Sequence, residues 1–243
     1  MDVRRLPSED LSADAGSDIV YSILDSAPGT DRVTTVDAPA KARDGLPAFD
    51  VVALAASAGG LRALSRVLTD LPTGFPCAVV VVQHLDPRHR SLMADILNRR
   101  TSLHVREAVD GEALCSGRVY IAPPDRHMLV NADGTISLTQ TTLVHFVRPS
   151  ADLLFESVAA AYQDRAIAVV LTGTGTDGVM GVRAIKKMGG TVLAQDEPTS
   201  EFFGMPGAAI HTGCVDFVLP LSEIAPALVM LVTQEKPDEP AEL

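Results

Sequence analysis

The chain has 243 residues, of which 47% are hydrophobic and 4% aromatic. This content suffices for a sizeable folded core and excludes collagen-like, coiled-coil and wholly disordered proteins. The formal net charge of −11 argues against a nucleic-acid-binding protein, which would carry a basic surface. The three cysteines form no C-x-x-C pair, and the longest apolar runs are too short for a membrane span. These features favour a cytoplasmic protein that does not insert into a membrane.

Composition divides the chain into three parts. Residues 1–47 are rich in Asp, Ser, Ala, Thr and Pro and predict a disordered acidic leader, and residues 233–243 predict an acidic tail. Residues 48–232 form the predicted domain. Its predicted elements, in chain order, are strand 49–55, helix 59–71, strand 77–83, helix 90–100, strands 103–106, 118–122, 127–130 and 135–139, helix 150–162, strand 166–171, helix 178–188, strand 191–194, helix 207–211, strand 215–219 and helix 222–231.

This alternation of strands and helices predicts the fold class. Near-continuous apolar strands are typical of strands buried on both faces, and helices between them supply the crossovers of a mostly parallel sheet. The short strands within 103–140 predict a small antiparallel β insert. Ligands of such α/β sheets bind beyond the carboxyl ends of the strands, so the residues that follow each strand are the candidates for chemistry.

A serine follows the first strand, in the turn Ala55-Ala56-Ser57-Ala58-Gly59-Gly60. Small neighbours allow a sharp turn that exposes the hydroxyl of Ser57, and the next helix offers free N–H groups. The pattern is similar to the G-x-S-x-G nucleophile elbow, with Ala55 at its first position. Alternatively, Ser57 is an ordinary helix N-cap.

A histidine follows the second strand, in Gln83-His84-Leu85-Asp86-Pro87. His84 is a candidate general base. The alternatives are a purely structural histidine, or a metal ligand together with Asp86 and His89. Nothing nearby completes a ligand set, so no metal site is predicted.

A glycine-rich loop with an acidic residue follows the strand 166–171, and Gly173–Gly178 fits the G-x-G-x-x-G spacing of a dinucleotide site. Asp196, about 20 residues on, would then be the ribose-binding acid. However, the charge of Asp177 inside the loop would repel a pyrophosphate, whereas an ionised carboxylate there suits a partner of a histidine. Ser57, His84 and Asp177 together therefore predict a catalytic triad, because triads are defined by geometry and not by chain order.

Further motifs lie in order along the same domain. They are Ala56-Ser57-Ala58-Gly59-Gly60, Gln83-His84, Tyr120-Ile121-Ala122-Pro123 with Asp125 and His127-Met128, Arg148-Pro149-Ser150-x-Asp152, Leu171-Thr172-Gly173-x-Gly175-x-Asp177-Gly178, and Phe203-Gly204-Met205-Pro206. Over roughly 50–231 the sequence resembles the catalytic domain of the chemotaxis protein-glutamate methylesterases (CheB type). The resemblance implies a doubly wound α/β fold, and Ser57, His84 and Asp177 correspond to the catalytic residues of that family.

The resemblance also implies an activity and a partner. The expected reaction is hydrolysis of glutamyl γ-methyl esters on the cytoplasmic helices of methylated chemoreceptors, with deamidation of glutamines as a second activity and no cofactor. The chain departs from the family at Ala58, where Thr is usual, at Thr174, where Met is usual, and at Val147, where His is usual. The amino-terminal receiver domain usual in the family does not fit within 1–47, so we expect a stand-alone catalytic domain.

Six further residues are candidates for oxyanion or substrate contacts. Backbone N–H groups near Ala58 and Thr174 would bind the oxyanion. Arg148 and Arg126 would guide acidic segments of the substrate, or alternatively are ordinary surface or capping arginines. Phe203 and Met205 lie in a loop that either walls the cleft or is a packed turn. The remaining alternatives for the whole domain are a catalytically weak receptor-binding module and the dinucleotide-binding domain.

Overall fold

The structure is a computed structural model that describes residues 49–84 and 91–233. The strands are β1 Val51–Ala56, β2 Ala78–Gln83, β3 His104–Glu107, β4 Arg118–Ile121, β5 His127–Val130, β6 Ile136–Thr139, β7 Ala166–Val170, β8 Thr191–Gln195 and β9 Phe217–Leu219. The α-helices are α1 Gly60–Asp70, α2 Met93–Asn98, α3 Ala151–Tyr162, α4 Val179–Lys187, α5 Gly204–Ile210 and α6 Leu221–Thr233. The predicted leader, and the predicted tail beyond Thr233, lie outside the described residues.

The main sheet has seven strands in the order β3-β4-β2-β1-β7-β8-β9, and its neighbouring strands pair in parallel. Strands β5 and β6 form a separate antiparallel pair. The predicted fold class is confirmed, but the antiparallel insert is smaller than the predicted 103–140. Strands β3 and β4 belong to the main sheet. Helix α2 returns the chain to the end of the sheet where the parallel strands begin, so that β3 can pair in parallel. The loop 108–117 does the same before β4.

Helices cover both faces of the sheet. Helices α1, α2 and α6 pack on one face, and α3, α4, α5 and the β5–β6 pair pack on the other. Alternate residues of β1 enter the two cores, which explains why all six of its residues are apolar and buried. Among the described residues, no helix has both the length and the apolarity needed to cross a membrane.

Strand order places a crevice at the middle of the sheet. Strand β1 pairs with β2 on one side and with β7 on the other, so the chain leaves β1 in one direction and later returns to its opposite side. Such a reversal opens a crevice beyond the carboxyl ends of the strands, where ligands of this class of fold bind. The residues that follow β1, β2 and β7 are Ser57, His84 and the loop that contains Asp177.

Candidate active site

The turn after β1 holds Ser57 between two strand ends. The Ser57 N–H donates to the carbonyl oxygen of Thr172 at 3.0 Å, and the Ser57 carbonyl oxygen accepts from the Gly60 N–H at 2.9 Å. Gly59 has φ 78°, a left-handed conformation that glycine adopts without a steric penalty. The sharp turn that this permits leaves Ser57 half-buried at the edge of the crevice.

Ser57 and His84 are neighbours because their strands are. Ala56 pairs with Gln83 in the sheet register, and the His84 N–H donates to the Ala56 carbonyl oxygen at 3.2 Å. The side-chain amide of Gln83 donates to the carbonyl oxygens of both Ser57, at 2.8 Å, and His84, at 3.0 Å. One buried carboxamide thus fixes the backbone of both residues.

Asp177 is the hydrogen-bond partner of His84. His84 Nε2 donates to Asp177 Oδ2 at 2.8 Å, and the two side chains are 12% and 4% exposed. We infer that Nε2 carries the proton, because an ionised carboxylate can only accept. Nδ1 of His84 is then the basic nitrogen. Within the described residues no hydrogen bond joins the Ser57 hydroxyl to the His84 ring, and such catalytic contacts often tighten only when substrate binds.

The first turn of α3 holds the Asp177 carboxylate. The Ser150 hydroxyl donates to Oδ1 at 2.8 Å, the Ala151 N–H to Oδ2 at 2.6 Å, and the Asp152 N–H to Oδ1 at 3.1 Å. Burial alone would raise the pKa of Asp177, but the hydrogen bonds from His84 and from these N–H groups lower it below its usual value. The carboxylate is therefore ionised and fixed in orientation.

The sequence pattern puts Asp177 at the start of its own helix and gives no sign that Ser150 is its partner. The structure shows that the free N–H groups belong to α3, which begins 26 residues earlier in the chain. Three further polar residues of the site were also not identified as positioning residues: Gln83, Thr172 and Gln195. A common signal exists for all three, since each is a buried polar residue at or next to the carboxyl end of a strand.

Thr172 joins the Ser57 turn to the loop before α5. Its hydroxyl lies 3.1 Å from the Ala58 carbonyl oxygen and 3.2 Å from the Phe202 carbonyl oxygen, and it accepts from the Phe202 N–H at 2.9 Å. The Thr172 N–H donates to Gln195 Oε1 at 2.8 Å. The loops that follow β1, β7 and β8 therefore form one hydrogen-bonded unit around the serine.

Gly173 allows the loop after β7 to pack closely against Ser57 and Met205. A Cβ at this position would lie 2.8 Å from the Ser57 Cβ and would overlap the sulfur of Met205. The Gly173 N–H donates to the Phe202 carbonyl oxygen at 2.9 Å. By contrast, the N–H groups of Ala58 and Thr174 have no acceptor among the described residues. Donation from either group to an oxyanion stays a prediction.

The other predicted contact residues have different surroundings. Arg148 donates through Nε and Nη2 to Asp125 Oδ1, at 2.9 and 2.6 Å, and through Nη1 to the Thr141 carbonyl oxygen at 2.6 Å. Its guanidinium thus anchors the loop after β6, whereas Arg126 is exposed. A substrate contact by either arginine stays a prediction.

The loop residues Phe203 and Met205 face the protein interior. Met205 is buried below Gly173, and the Phe203 ring packs on Gly207 of α5. Both surroundings agree with the packed turn, and contact with a substrate stays a prediction. In the described part of the chain, no group of three or more His, Cys, Asp and Glu residues could hold a metal ion. The metal alternative at His84 includes Asp86 and His89, which lie outside the described residues.

Comparisons with known proteins relate the chain to one family. The sequence model of the CheB methylesterase family matches residues 52–228. The chain is 44% identical over 191 residues to a protein-glutamate methylesterase/protein-glutamine glutaminase of Moorella thermoacetica, covering 77% of this chain and 45% of that protein. A putative protein of the same name from Leptospira interrogans serogroup Icterohaemorrhagiae is 39% identical and covers 75% of this chain and 95% of its own length.

A solved structure gives the same result. The crystal structure of the Thermotoga maritima CheB methylesterase catalytic domain is 40% identical, with a TM-score of 0.74, and covers 76% of this chain and 99% of that chain. The chain spans about half the length of the first curated relatives it matches, 45% and 50%. The resemblance inferred from the motifs is confirmed: this chain belongs to the CheB methylesterase family.

Proposed function

We propose that this chain is a serine hydrolase that converts glutamyl γ-methyl esters of a protein into glutamates and methanol. The observation that carries the proposal is the His84–Asp177 pair, with its 2.8 Å hydrogen bond, next to Ser57 at the sheet's crevice. Ser57 is the nucleophile, His84 the general base and acid, and Asp177 the residue that orients the imidazole and stabilises its positive charge.

The first half of the reaction forms an acyl-enzyme. Ser57 Oγ attacks the ester carbonyl carbon while His84 Nδ1 accepts the hydroxyl proton. In this proposal the tetrahedral oxyanion accepts from the Ala58 and Thr174 N–H groups, and such donors contribute about 3–4 kcal/mol each in other enzymes. The C–O bond to the methoxy group then breaks, and His84 returns the proton to give methanol.

The second half restores the enzyme. A water molecule replaces methanol and gives a proton to His84 as its oxygen attacks the acyl carbon. The bond to Ser57 Oγ breaks, Ser57 regains its proton from His84, and a glutamate side chain is released. A glutamine side chain would follow the same steps with ammonia as the leaving group, which is the second activity in the names of the relatives. No step requires a cofactor.

The proposed protein substrate is the methylated cytoplasmic helices of a chemoreceptor. Family membership and the complete Ser, His and Asp set support this proposal. The dinucleotide-binding alternative is disfavoured because Gly173 packs against Ser57 and Met205 and because the buried Asp177 carboxylate accepts a hydrogen bond from His84. The remaining alternative is a binding module without turnover.

The test is methanol release from a methylated receptor fragment. The wild-type chain should release methanol, and Ser57→Ala should release none while still binding the fragment. Ser102→Ala is the matched control, since Ser102 is an exposed serine just before β3, at the opposite edge of the sheet, and it should retain full activity. Binding without methanol release by the wild-type chain would instead establish the binding module.

A further inference from the structure

A tight turn borders the active site. Val144 and Val147 exchange two backbone hydrogen bonds, of 3.2 and 2.9 Å, and His145 and Phe146 lie between them with φ of 48° and 65°. Two-residue turns of this kind usually contain Gly, Asn or Asp, because other side chains are unfavourable at positive φ. A turn built from His and Phe therefore needs another interaction to stabilise it.

Asp152 supplies that interaction. His145 Nε2 lies 3.1 Å from Asp152 Oδ2, and the Asp152 side chain is buried at the start of α3. Asp152 Oδ1 accepts from the Gly181 N–H of α4 at 2.9 Å, so it is held independently of the turn. The Asp152 N–H also donates to Asp177. The same first turn of α3 thus positions the catalytic carboxylate and the 144–147 turn.

The turn presents Phe146 to solvent at the mouth of the site. Its side chain is 95% exposed, the largest exposure among the described large hydrophobic residues. Together with residues of its own turn and the loop after β7, Phe146 borders a cavity of about 300 Å³ that also reaches His84 and Asp177. Exposure of an aromatic ring to water is unfavourable, and its burial against a binding partner is favourable.

We propose that Phe146 is a specificity-determining residue that binds an apolar side chain of the protein substrate next to the glutamyl ester, and that His145, through Asp152, is its positioning residue. Three observations support it: the exposure of the ring, the shared cavity with His84 and Asp177, and the stabilised turn. Among the residues that the structure describes, the lining holds no Lys or Arg, and the exposed aromatic ring itself suits an apolar side chain next to the ester. A rigid anchor increases affinity because less conformational freedom is lost on binding.

This inference rests on the proposed function, and its test compares two substrates. For each variant, kcat/KM is measured on a methylated receptor fragment and on the γ-methyl ester of N-acetylglutamate amide, which lacks neighbouring residues. Phe146→Ala should lower the ratio of the two values about tenfold, mainly through a higher KM for the fragment. Equal losses on both substrates, or an unchanged ratio, would overturn the assignment.

Met188→Ala is the matched control. Met188 is also exposed but follows the carboxyl end of α4, at the opposite edge of the sheet, so both kcat/KM values should remain those of the wild type. Binding of the fragment is measured in parallel in the Ser57→Ala background. Weaker binding after Phe146→Ala would support the anchor even if the wild-type chain released no methanol, a result that would refute only the proposed function.

The positioning role of His145 is tested by asking whether the effect of its substitution depends on Phe146. His145→Ala should lower the same ratio, and His145→Gln, which keeps a donor able to reach Asp152, should restore most of it. If His145 acts only by positioning the ring, His145→Ala should have no further effect in the Phe146→Ala background. Additive losses in the double variant would show that His145 does not act through Phe146.

Discussion

The side-chain nitrogen of Gln83 lies 2.8 Å from the carbonyl oxygen of Ser57, and the same nitrogen also donates to the carbonyl oxygen of His84. The carboxamide thus links the turn that carries the nucleophile to the strand end that carries the base. Gln83 also packs against Gly60, where an added Cβ would overlap its Oε1. Neither backbone segment can shift without breaking a buried hydrogen bond.

Gln83→Met should therefore lower kcat with little change in KM. Methionine has a similar length but cannot donate, so the two carbonyl groups lose their shared donor and the Ser57–His84 geometry relaxes. Misplacement on the order of 1 Å costs up to about 100-fold in rate, and we expect a loss of about 10–100-fold, measured as methanol release at saturating substrate.

Gln195→Met is the control for this prediction. Gln195 is likewise buried at the end of a strand, but its carboxamide bonds Thr172 and Thr199 and not the Ser57 and His84 carbonyls. A similar loss of stability with a smaller loss of kcat is expected. If both variants lost kcat equally, the loss at Gln83 could not be assigned to its bonds with the Ser57 and His84 carbonyl groups.

Ser57 and His84, as proposed catalytic residues, should act as a unit. Ser57→Ala and His84→Ala should each lower kcat by about 10⁴–10⁶-fold, and the double variant should lose little more, because either change alone removes the activated nucleophile. Single-turnover methanol release measures all three, with unfolding curves to confirm that each variant is folded. Losses that multiply in the double variant would show that Ser57 and His84 function independently.

The positions of Ser57, His84 and Asp177 in the fold could be predicted because each follows an apolar strand that is recognisable in the sequence. Their convergence required the strand order, which local pattern does not contain: the crevice forms because β7 pairs with β1, a contact between segments more than 100 residues apart. For the same reason the role of Ser150 was not foreseen. Its hydroxyl meets Asp177 only because α3 packs on the sheet beside β1 and β7.

Some contacts of Arg148 and the extent of the β insert could not be predicted from local sequence. In the structure the Arg148 guanidinium donates to Asp125 and to the Thr141 carbonyl oxygen, and its role as a guide for acidic substrate segments stays a prediction. Only Asp125 could be suspected as a partner from the sequence, since a carbonyl group has no sequence signature. Strand β3 was assigned to the antiparallel insert because its four residues do not indicate whether the strand pairs with the main sheet or with the insert.

Asp177→Asn should lower kcat by about 10⁴-fold, as loss of the carboxylate partner of a catalytic histidine does elsewhere, with KM changed much less. The substitution also removes one acceptor oxygen. One of the four donors that now bond the carboxylate would face an NH₂ group, and stability should fall as well. Steady-state methanol release and urea unfolding measure the two effects separately.

Ser150→Ala distinguishes orientation from charge at Asp177. It removes one donor to Oδ1 but leaves the carboxylate, the His84 contact and the two α3 N–H groups, so kcat should fall far less than for Asp177→Asn. It also removes the N-cap of α3, a loss of about 1 kcal/mol of stability. If Ser150→Ala matched Asp177→Asn in kcat, the hydroxyl rather than the charge would control His84.

Glu156 makes the stability of the protein depend on pH. It lies on α3 one turn beyond Asp152, and burial, followed by the charges of Asp152 and Asp177, raises its pKa from 4.5 to about 7. The folded state therefore binds more protons than the unfolded state between those values. Its contribution to the free energy of unfolding is present below about pH 4.5 and is lost as the pH rises through 7.

Glu156→Gln should remove this dependence, because the amide resembles the protonated carboxyl group and never ionises. Relative to the wild type, the variant should unfold with a similar free energy at about pH 5 and should be more stable at about pH 8, by roughly 1–2 kcal/mol once partial exposure is allowed for. Urea unfolding of both proteins at the two pH values measures the difference, and pairing them at each pH cancels the titration of all other groups. An equal difference at both pH values would mean that Glu156 ionises at the same pH in the folded and unfolded chains, contrary to the environment that α3 gives it.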